Sequence, residues 1–456
     1  MKNATEKVSI VSLGCARNLV DSEVMAGLLT QSQYTLVQQP EDADIVLINT
    51  CGFIDAAKAE SIDTIVEMAR LKEEGKLKKL IVAGCLSQRY PDELARELSE
   101  VDLFIGTGEV PHIATILREH KRDSARRQYV GVPHYLYDHA TPRARMTPSY
   151  SAYLKVSEGC DHKCAFCIIP QLRGPHRSRA IDSIVKEATL LAAQGLKEIN
   201  LIAQDLTAYG RDRQDGTTLS NLLSEMIKIP DIVWIRLLYA YPNFLDEPLL
   251  RVIRENKQIC KYIDIPFQHI NRGILQRMRR GNSGSAVWET IRRLRAGIPE
   301  LTLRTSLIVG FPGETQAEFN ELLEFVEQAE FDRLGVFKYS DQEGTAAAAF
   351  ANKVSEQELE SRWQEIMDLQ ATISRRKNEA LIGTTQQVMI EGIDFDTQQF
   401  YGRTQAHAPD VDGLVYVRVP TENGQGSSYG PGEFLNVRIT GVDDYDLMSE
   451  IFYAEN

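Results

Sequence analysis

Ala152-Tyr-Leu-Lys-Val-Ser-Glu-Gly-Cys160-Asp-His-Lys-Cys164-Ala-Phe-Cys167 decides how the rest of this chain is read. Its opening, Ala152–Ser157, has the apolar-rich pattern of a buried strand, and three cysteines follow it almost at once. A strand that runs into such a loop opens a βα unit whose site lies at the carboxyl ends of the strands. Three thiolates separated by three and then two residues can hold three corners of a cubane cluster, leaving the fourth iron for a ligand from outside the chain. The competing assignment is zinc, with His162 completing a tetrahedron. His162, however, sits inside the loop between two ligands, where reaching the same ion strains it. After Cys167 only the lone Cys260 could supply another sulfur.

Downstream, strand and helix patterns alternate. Strand candidates after the first are Glu198–Ala203, Val233–Tyr239, Tyr262–Pro266, Thr302–Val309 and Arg333–Tyr339. Helical patterns lie between them, including Ile181–Gln194, Ser283–Ala296 and Glu314–Ala329, and the long Ser355–Arg376 closes the unit. Six such units predict a partial (βα)6 barrel over residues 150–380. Residues 384–454 change to short β-rich runs broken by Gly, Asp and Asn, which predicts a small antiparallel barrel of about five strands.

Upstream, residues 7–120 also alternate, with buried-strand runs at Val8–Leu13, Ile45–Asn49, Leu80–Ala83 and Leu103–Ile105. This predicts a doubly wound parallel α/β domain. Cys15, Cys51 and Cys85 each fall just past one of these strands, beside Gly14, Gly52 and Gly84. Strand ends of an open parallel sheet share one edge, so the three thiols should converge there. One such cysteine would read as a small buried residue; three in the same topological position read as a ligand set. Residues 121–149, with Pro133, Pro142 and Pro148 and six Lys or Arg, read as a solvated linker.

The composition agrees with this plan. The chain has 456 residues, 43% hydrophobic and 25% charged, room for about three domains. No apolar run approaches the roughly 18 residues of a membrane helix, and the start lacks a signal-peptide pattern. The expectation is a cytoplasmic protein without membrane contact. Seven cysteines are an odd count and too few for a disulfide scaffold. The net charge of −13 disfavours a polyanionic partner and favours a basic one.

Cys-x3-Cys-x2-Cys with Phe166 before the last cysteine, opening a βα barrel, resembles the radical S-adenosylmethionine superfamily. The three-domain plan covers nearly the whole chain and looks like that superfamily's methylthiotransferases, with a TRAM domain last. Four stretches resemble the branch that modifies a ribosomal protein: Ser12-Leu-Gly-Cys-Ala-Arg-Asn-Leu-Val-Asp-Ser-Glu23, Ser157-Glu-Gly-Cys-Asp-His-Lys-Cys164, Tyr262-Ile-Asp-Ile-Pro-Phe-Gln-His269 and Tyr401-Gly-Arg-Thr-Gln-Ala-His-Ala-Pro-Asp-Val-Asp-Gly413. His407 departs from the pattern, which commonly has an acid there.

The resemblance implies two [4Fe-4S] clusters and S-adenosylmethionine as radical source and methyl donor. Cys160, Cys164 and Cys167 would bind the cluster that cleaves S-adenosylmethionine to a 5′-deoxyadenosyl radical. Cys15, Cys51 and Cys85 would bind an auxiliary cluster carrying the sulfur. The substrate implied is an aspartate β-carbon of ribosomal protein S-twelve in the small subunit, an unactivated C–H that no side-chain base can deprotonate. A reduced electron donor and a sulfur donor are implied, no stable nucleic-acid partner is expected, and the default state is a monomer. Phe166, Gln204, Asp205, Gln268, Arg304 and Gly310 are candidate cofactor contacts. Arg173, His176, Arg177 and Arg179, which follow the cysteine loop, are candidates to pair with an acidic substrate side chain. Cys260 reads as packing at the end of a helical stretch, and Arg277, Arg279 and Arg280 as a solvated helix end.

Two other functions compete: methylthiolation of a tRNA adenosine by the same chemistry, and a non-catalytic metal-binding protein. The C-terminal domain separates the first pair. From Thr385 to Asn456 there are twelve acids against Arg403, Arg418 and Arg438. A barrel that grips RNA needs a cationic groove, whereas an acidic one suits a basic ribosomal protein.

Overall fold

The computed structural model describes residues 5–281, 283–418 and 429–452. The first sheet is parallel and runs, in spatial order, Thr35–Leu36, Lys7–Ser12, Ile45–Thr50, Lys79–Gly84, Leu103–Ile105, Gln128–Tyr129. Ile45-Val-Leu-Ile-Asn-Thr50 is buried at every position, as a central strand covered on both faces must be. Ile45, Leu47, Ile81 and Ala83 feed one apolar cluster, and Val46, Ile48, Leu80 and Val82 the opposite one.

The second sheet is also parallel, and its six strands follow chain order: Ser151–Lys155, Glu198–Ile202, Trp234–Leu237, Ile259–Asp264, Thr302–Val309, Arg333–Lys338. Leu154, Ile199, Leu201, Ile235, Leu237, Ile263 and Leu303 face the surrounding helices. Tyr153, Ile202, Trp234 and Tyr262 belong to a different cluster, shared with Val24 and Met25 of the N-terminal domain and with Met389 and Ala408 of the C-terminal one. The two flanking domains therefore cover the inner face of the open barrel. The C-terminal domain is a closed five-strand barrel of Thr385–Asp394, Gln399–Arg403, Val415–Arg418, Leu447–Ile451 and Phe434–Val442. One pairing departs from the all-antiparallel expectation: Val415–Arg418 runs parallel to Leu447–Ile451. The last strand returns by a hairpin from Phe434–Val442 and inserts beside the third instead of following it around the barrel.

Residues 121–149 are not a solvated linker. Gln128–Tyr129 adds the sixth strand of the first sheet. Arg127 donates to the carbonyls of Ala95, Leu98 and Val101. Arg143, its side chain 7% exposed, joins Glu23 of the N-terminal helix Ala16–Gln31 to Glu187 of the barrel helix Ile181–Ala193. The segment is a strap between the first two domains, and a Cβ on Gly27 would lie 2.5 Å from its backbone at Pro142 and Arg143. Cys260 is fully buried packing, but in a strand rather than at the end of a helix. Among the described residues no helix is long and apolar enough to cross a membrane.

Candidate active site

Cys15, Cys51 and Cys85 follow the carboxyl ends of three adjacent strands, which fixes their convergence: Ser12 is level with Asn49, Asn49 with Ala83, and Thr50 with Gly84. The glycines beside them make room. A Cβ on Gly14 would lie 2.8 Å from the Cβ of Cys51, one on Gly52 2.9 Å from the backbone of Cys85 and Leu86, and one on Gly84 2.4 Å from Oδ1 of Asn49. Cys15 caps the helix Ala16–Gln31, whose free backbone N–H groups favour an anionic sulfur. Burial works to raise this thiol, but Arg17, Arg173 and the backbone N–H groups of Asn18 and Arg17 outweigh it and hold it below the ordinary value. Burial raises Cys51 to about 11, reinforced by the neighbouring Cys85, and also raises Cys85.

The second triad lies in the loop after the first barrel strand. The Cys160 N–H donates to the Gly174 carbonyl at 3.1 Å, and the Ala165 N–H to that of Met278 at 2.9 Å. Gly159, at φ +81°, is the turn that allows this, since a Cβ there would fall 1.9 Å from the Pro175 carbonyl. Burial pushes Cys160 up to about 11 and Cys167 up to about 12. Arg17 counteracts this at Cys167 while acting on Cys15, so one guanidinium influences both triads. It donates to the Ala203 carbonyl at 2.8 Å and lies over the Tyr239 ring at 4.6 Å. The helix Ile169–Arg173 follows Cys167 directly, and Ile168 and Leu172 pack on Cys85 and Phe53. The carboxyl edges of the two sheets thus face each other, one triad on each.

Both sites fit clusters by donor chemistry. Each offers three free thiols. Among the described residues no three His, Cys, Asp or Glu close around a single metal ion, and the cysteine thiolates that ligate a cubane each sit on a separate iron. His162 is no fourth ligand: its Nε2 is 2.7 Å from Asp205 Oδ2, and its ring stacks on Tyr241 at 3.9 Å. At the same strand ends the Ser157 hydroxyl and Gln204 Oε1 are buried without partners, an unmet polar demand suited to the amino and carboxylate groups of S-adenosylmethionine.

The other expected contacts divide. Gln204 stands at the site and donates to Glu158. Asp205 is fully used on His162, Thr207 and the Ala208 N–H, so it orients the loop. Phe166 packs the loop onto the cluster of Ile274, Met278, Ile308 and Phe311. Gln268 lies at a strand end at φ +71°, like Tyr239 at +65°; such conformations in non-glycine residues gather at functional sites. Gly310 is not open to a ligand, because a Cβ there would meet Leu359 at 1.8 Å. Arg304, third in its strand, binds Asp264 at 2.8 Å, and Asp264 in turn accepts from the Tyr239 N–H at 3.3 Å. Nor are the loop arginines free for a substrate. Arg173 is buried against Asp21 at 2.5 Å. Arg179 is buried on the Lys155 carbonyl and Glu187. Arg177 is held by the carbonyls of Pro175, Tyr135 and Arg173, and His176 Nε2 by Ser178.

Several residues escaped the sequence reading. Arg280 is no solvated helix end: it is buried, lies 4.2 Å over Tyr241 and points Nη1 at Cys164 Sγ, 3.7 Å away. Arg17, Asn18, Asp21 and Glu158 all sit in the quoted stretches around the cysteines, and that adjacency was the available signal. His407 is buried and neutral, driven well below its ordinary pKa by burial and then Arg333, whose Nη2 donates to it at 2.7 Å.

Family models match in chain order: Uncharacterized protein family UPF0004 over residues 7–106, the Radical SAM superfamily over 154–326, and the TRAM domain over 382–452. The superfamily implies a [4Fe-4S] cluster and S-adenosylmethionine. A solved radical S-adenosylmethionine methyltransferase, TsrM from Kitasatospora setae, shares the fold at TM-score 0.55 and 15% identity, covering 75% of this chain and 77% of its own. The protein named ribosomal protein uS12 methylthiotransferase RimO from Pelobacter propionicus is 49% identical over 447 residues, 98% of each chain. Its namesake from Geobacter sulfurreducens is 48% identical over 99% of this chain and 100% of its own. The chain belongs to the RimO family of radical S-adenosylmethionine methylthiotransferases.

Proposed function

We propose that this enzyme replaces a hydrogen on an aspartate β-carbon of small-subunit ribosomal protein S-twelve with a methylthio group, giving 3-methylthioaspartate. The observation that carries the reading is the pair of thiol triads, one on each sheet edge, with the helix Ile169–Arg173 between them. Cys160, Cys164 and Cys167 would hold one [4Fe-4S] cluster, and Cys15, Cys51 and Cys85 a second. When bound, the clusters and S-adenosylmethionine supply the one-electron cleavage, the sulfur and the methyl group. The chain's own residues do the rest. Asp205 and Tyr241 fix His162 and with it the cysteine loop. Ser157 and Gln204, whose polar atoms are buried without partners, would hold the amino acid end of the cofactor. Phe53, Ile168 and Leu172 pack apolar surface on Cys85 and would keep water from that side of the site. The cycle draws on a reduced electron donor and a sulfur donor, with the protein a cytoplasmic monomer that keeps no nucleic-acid partner.

The test is anaerobic reconstitution with iron and sulfide, followed by dithionite, S-adenosylmethionine and either ribosomal protein S-twelve or tRNA. The expected products are 5′-deoxyadenosine and methylthioaspartate in the protein. Absence of 5′-deoxyadenosine removes the enzyme reading, and methylthioadenosine in the tRNA redirects the substrate.

A further inference from the structure

Arg173 is carried by the barrel, yet its guanidinium ends in the N-terminal domain. Its side chain is 4% exposed. Nη1 lies 2.5 Å from Asp21 and 3.5 Å from Glu158. Nη2 donates to Asn18 Oδ1 and lies 3.5 Å from Cys85 Sγ. Lys155 completes the group, 2.6 Å from both Asp21 and Glu158. Two cations and two carboxylates already balance, so a purely structural tie needs nothing from the sulfur. The guanidinium nevertheless divides between the carboxylates on one edge and the thiol on the other.

We infer that Arg173 is a positioning residue for the N-terminal thiol triad, setting the reduction potential of the cluster held by Cys15, Cys51 and Cys85 from across the domain interface. The inference rests on the proposed assignment of that cluster. A cation this close to a ligating sulfur, out of water, favours the more negative, reduced state and so raises the potential. A hydrogen bond to the sulfur acts the same way. Asp21 opposes it by drawing the positive charge to the other edge. Arg173 also belongs to the helix that follows Cys167, so docking of the barrel sets the electrostatics of both sites at once.

The experiment uses the full chain with Cys160→Ala, Cys164→Ala and Cys167→Ala, so that only the N-terminal cluster is present, reconstituted with iron and sulfide. EPR-monitored redox titration then compares Arg173→Met, Arg173→Lys and Asp21→Asn in that background. Arg173→Met should lower the midpoint by a tenfold change in the reduction equilibrium, about 59 mV for one electron. Arg173→Lys should restore most of it, and Asp21→Asn should move it upward. Opposite signs are what loss of a structural tie does not produce. If Arg173→Met takes up no cluster, the sign for Asp21→Asn decides. Unmoved potentials, or a downward shift for Asp21→Asn, overturn the role of Arg173 alone. Absence of iron from the background variant overturns the cluster assignment and this inference with it.

Discussion

Gly310 shows how one residue can satisfy two readings until its neighbours are known. A glycine after a barrel strand suits close approach of a ligand, but here the absent side chain makes room for Leu359 of the closing helix, and φ is +71°. Gly310→Ala should therefore cost roughly 1–3 kcal/mol from overpacking, read as a lower thermal midpoint, and Leu359→Ala in the same chain should recover part of it. Additive losses would mean that the contact is not the cause. Cys15, Cys51 and Cys85 were legible because each lies one to three residues past a strand, where sheet topology alone fixes its place, and Cys160, Cys164 and Cys167 because of their close mutual spacing. Their arginine partners were not, because Arg173 and Arg280 meet sulfurs 88 and 116 positions away in sequence. The triads can be separated by function. Alanine at Cys160, Cys164 and Cys167 should abolish 5′-deoxyadenosine formation yet leave N-terminal iron, whereas alanine at Cys15, Cys51 and Cys85 should keep cleavage and stop methylthio transfer. N-terminal triple variants that bind as much iron as the parent would reject the second cluster.

At the level of elements, the six barrel strands were readable from their apolar runs, while Thr35–Leu36 and Gln128–Tyr129 were too short to carry a pattern. What sequence periodicity could not reveal is how the C-terminal barrel is fastened. Glu198, fully buried at the start of the second barrel strand, accepts from Ser151 at 2.8 Å, Arg236 at 3.1 Å and Arg403 at 2.7 Å. Tyr262 donates to Asp412 at 2.7 Å and Tyr153 to Asp410 at 2.9 Å. Burial opposes the charge on Glu198, but Arg403 and then Arg236 hold its carboxyl down at about 2. Its folded pKa lies below the unfolded one, so the stability it gives is complete above about pH 5 and is lost as pH falls toward 2. Glu198→Gln leaves buried Arg236 without its anion and Arg403 with Glu391 alone, and should cost about 3–5 kcal/mol at neutral pH. Thermal melts should show that difference shrinking between pH 5 and pH 2. A constant gap across that range would mean that Glu198 acts by shape rather than charge.

For the whole molecule, the decisive quantity is charge, and the structure revises where it is available. Of the twelve C-terminal acids, Glu391 is engaged by Arg403, Asp410 by Tyr153 and Asp412 by Tyr262, all inside the chain. Glu422 and Glu455 lie outside the described residues. Arg403, one of only three basic residues there, is itself buried. Asp396, Glu433 and Asp443 are exposed, and Phe395, 83% exposed, sits beside Asp396 on the first hairpin. The free surface therefore keeps its acidic sign while its cationic part shrinks, the reverse of what a polyanion needs. A basic ribosomal protein is drawn to such a surface by a field that salt screens over roughly 8–10 Å. Reversing Asp396, Glu433 and Asp443 to lysine touches none of the ties to the other domains and removes only the turn hydrogen bond from the Asp444 N–H to Asp443. It should slow association with ribosomal protein S-twelve about tenfold at low salt and flatten the salt dependence, as stopped-flow rates at two ionic strengths would show. Cofactor cleavage without substrate should be unchanged, since the thiol triads lie on the other two domains. A variant that associates as fast as the parent would mean that this barrel is acidic for a reason other than its substrate.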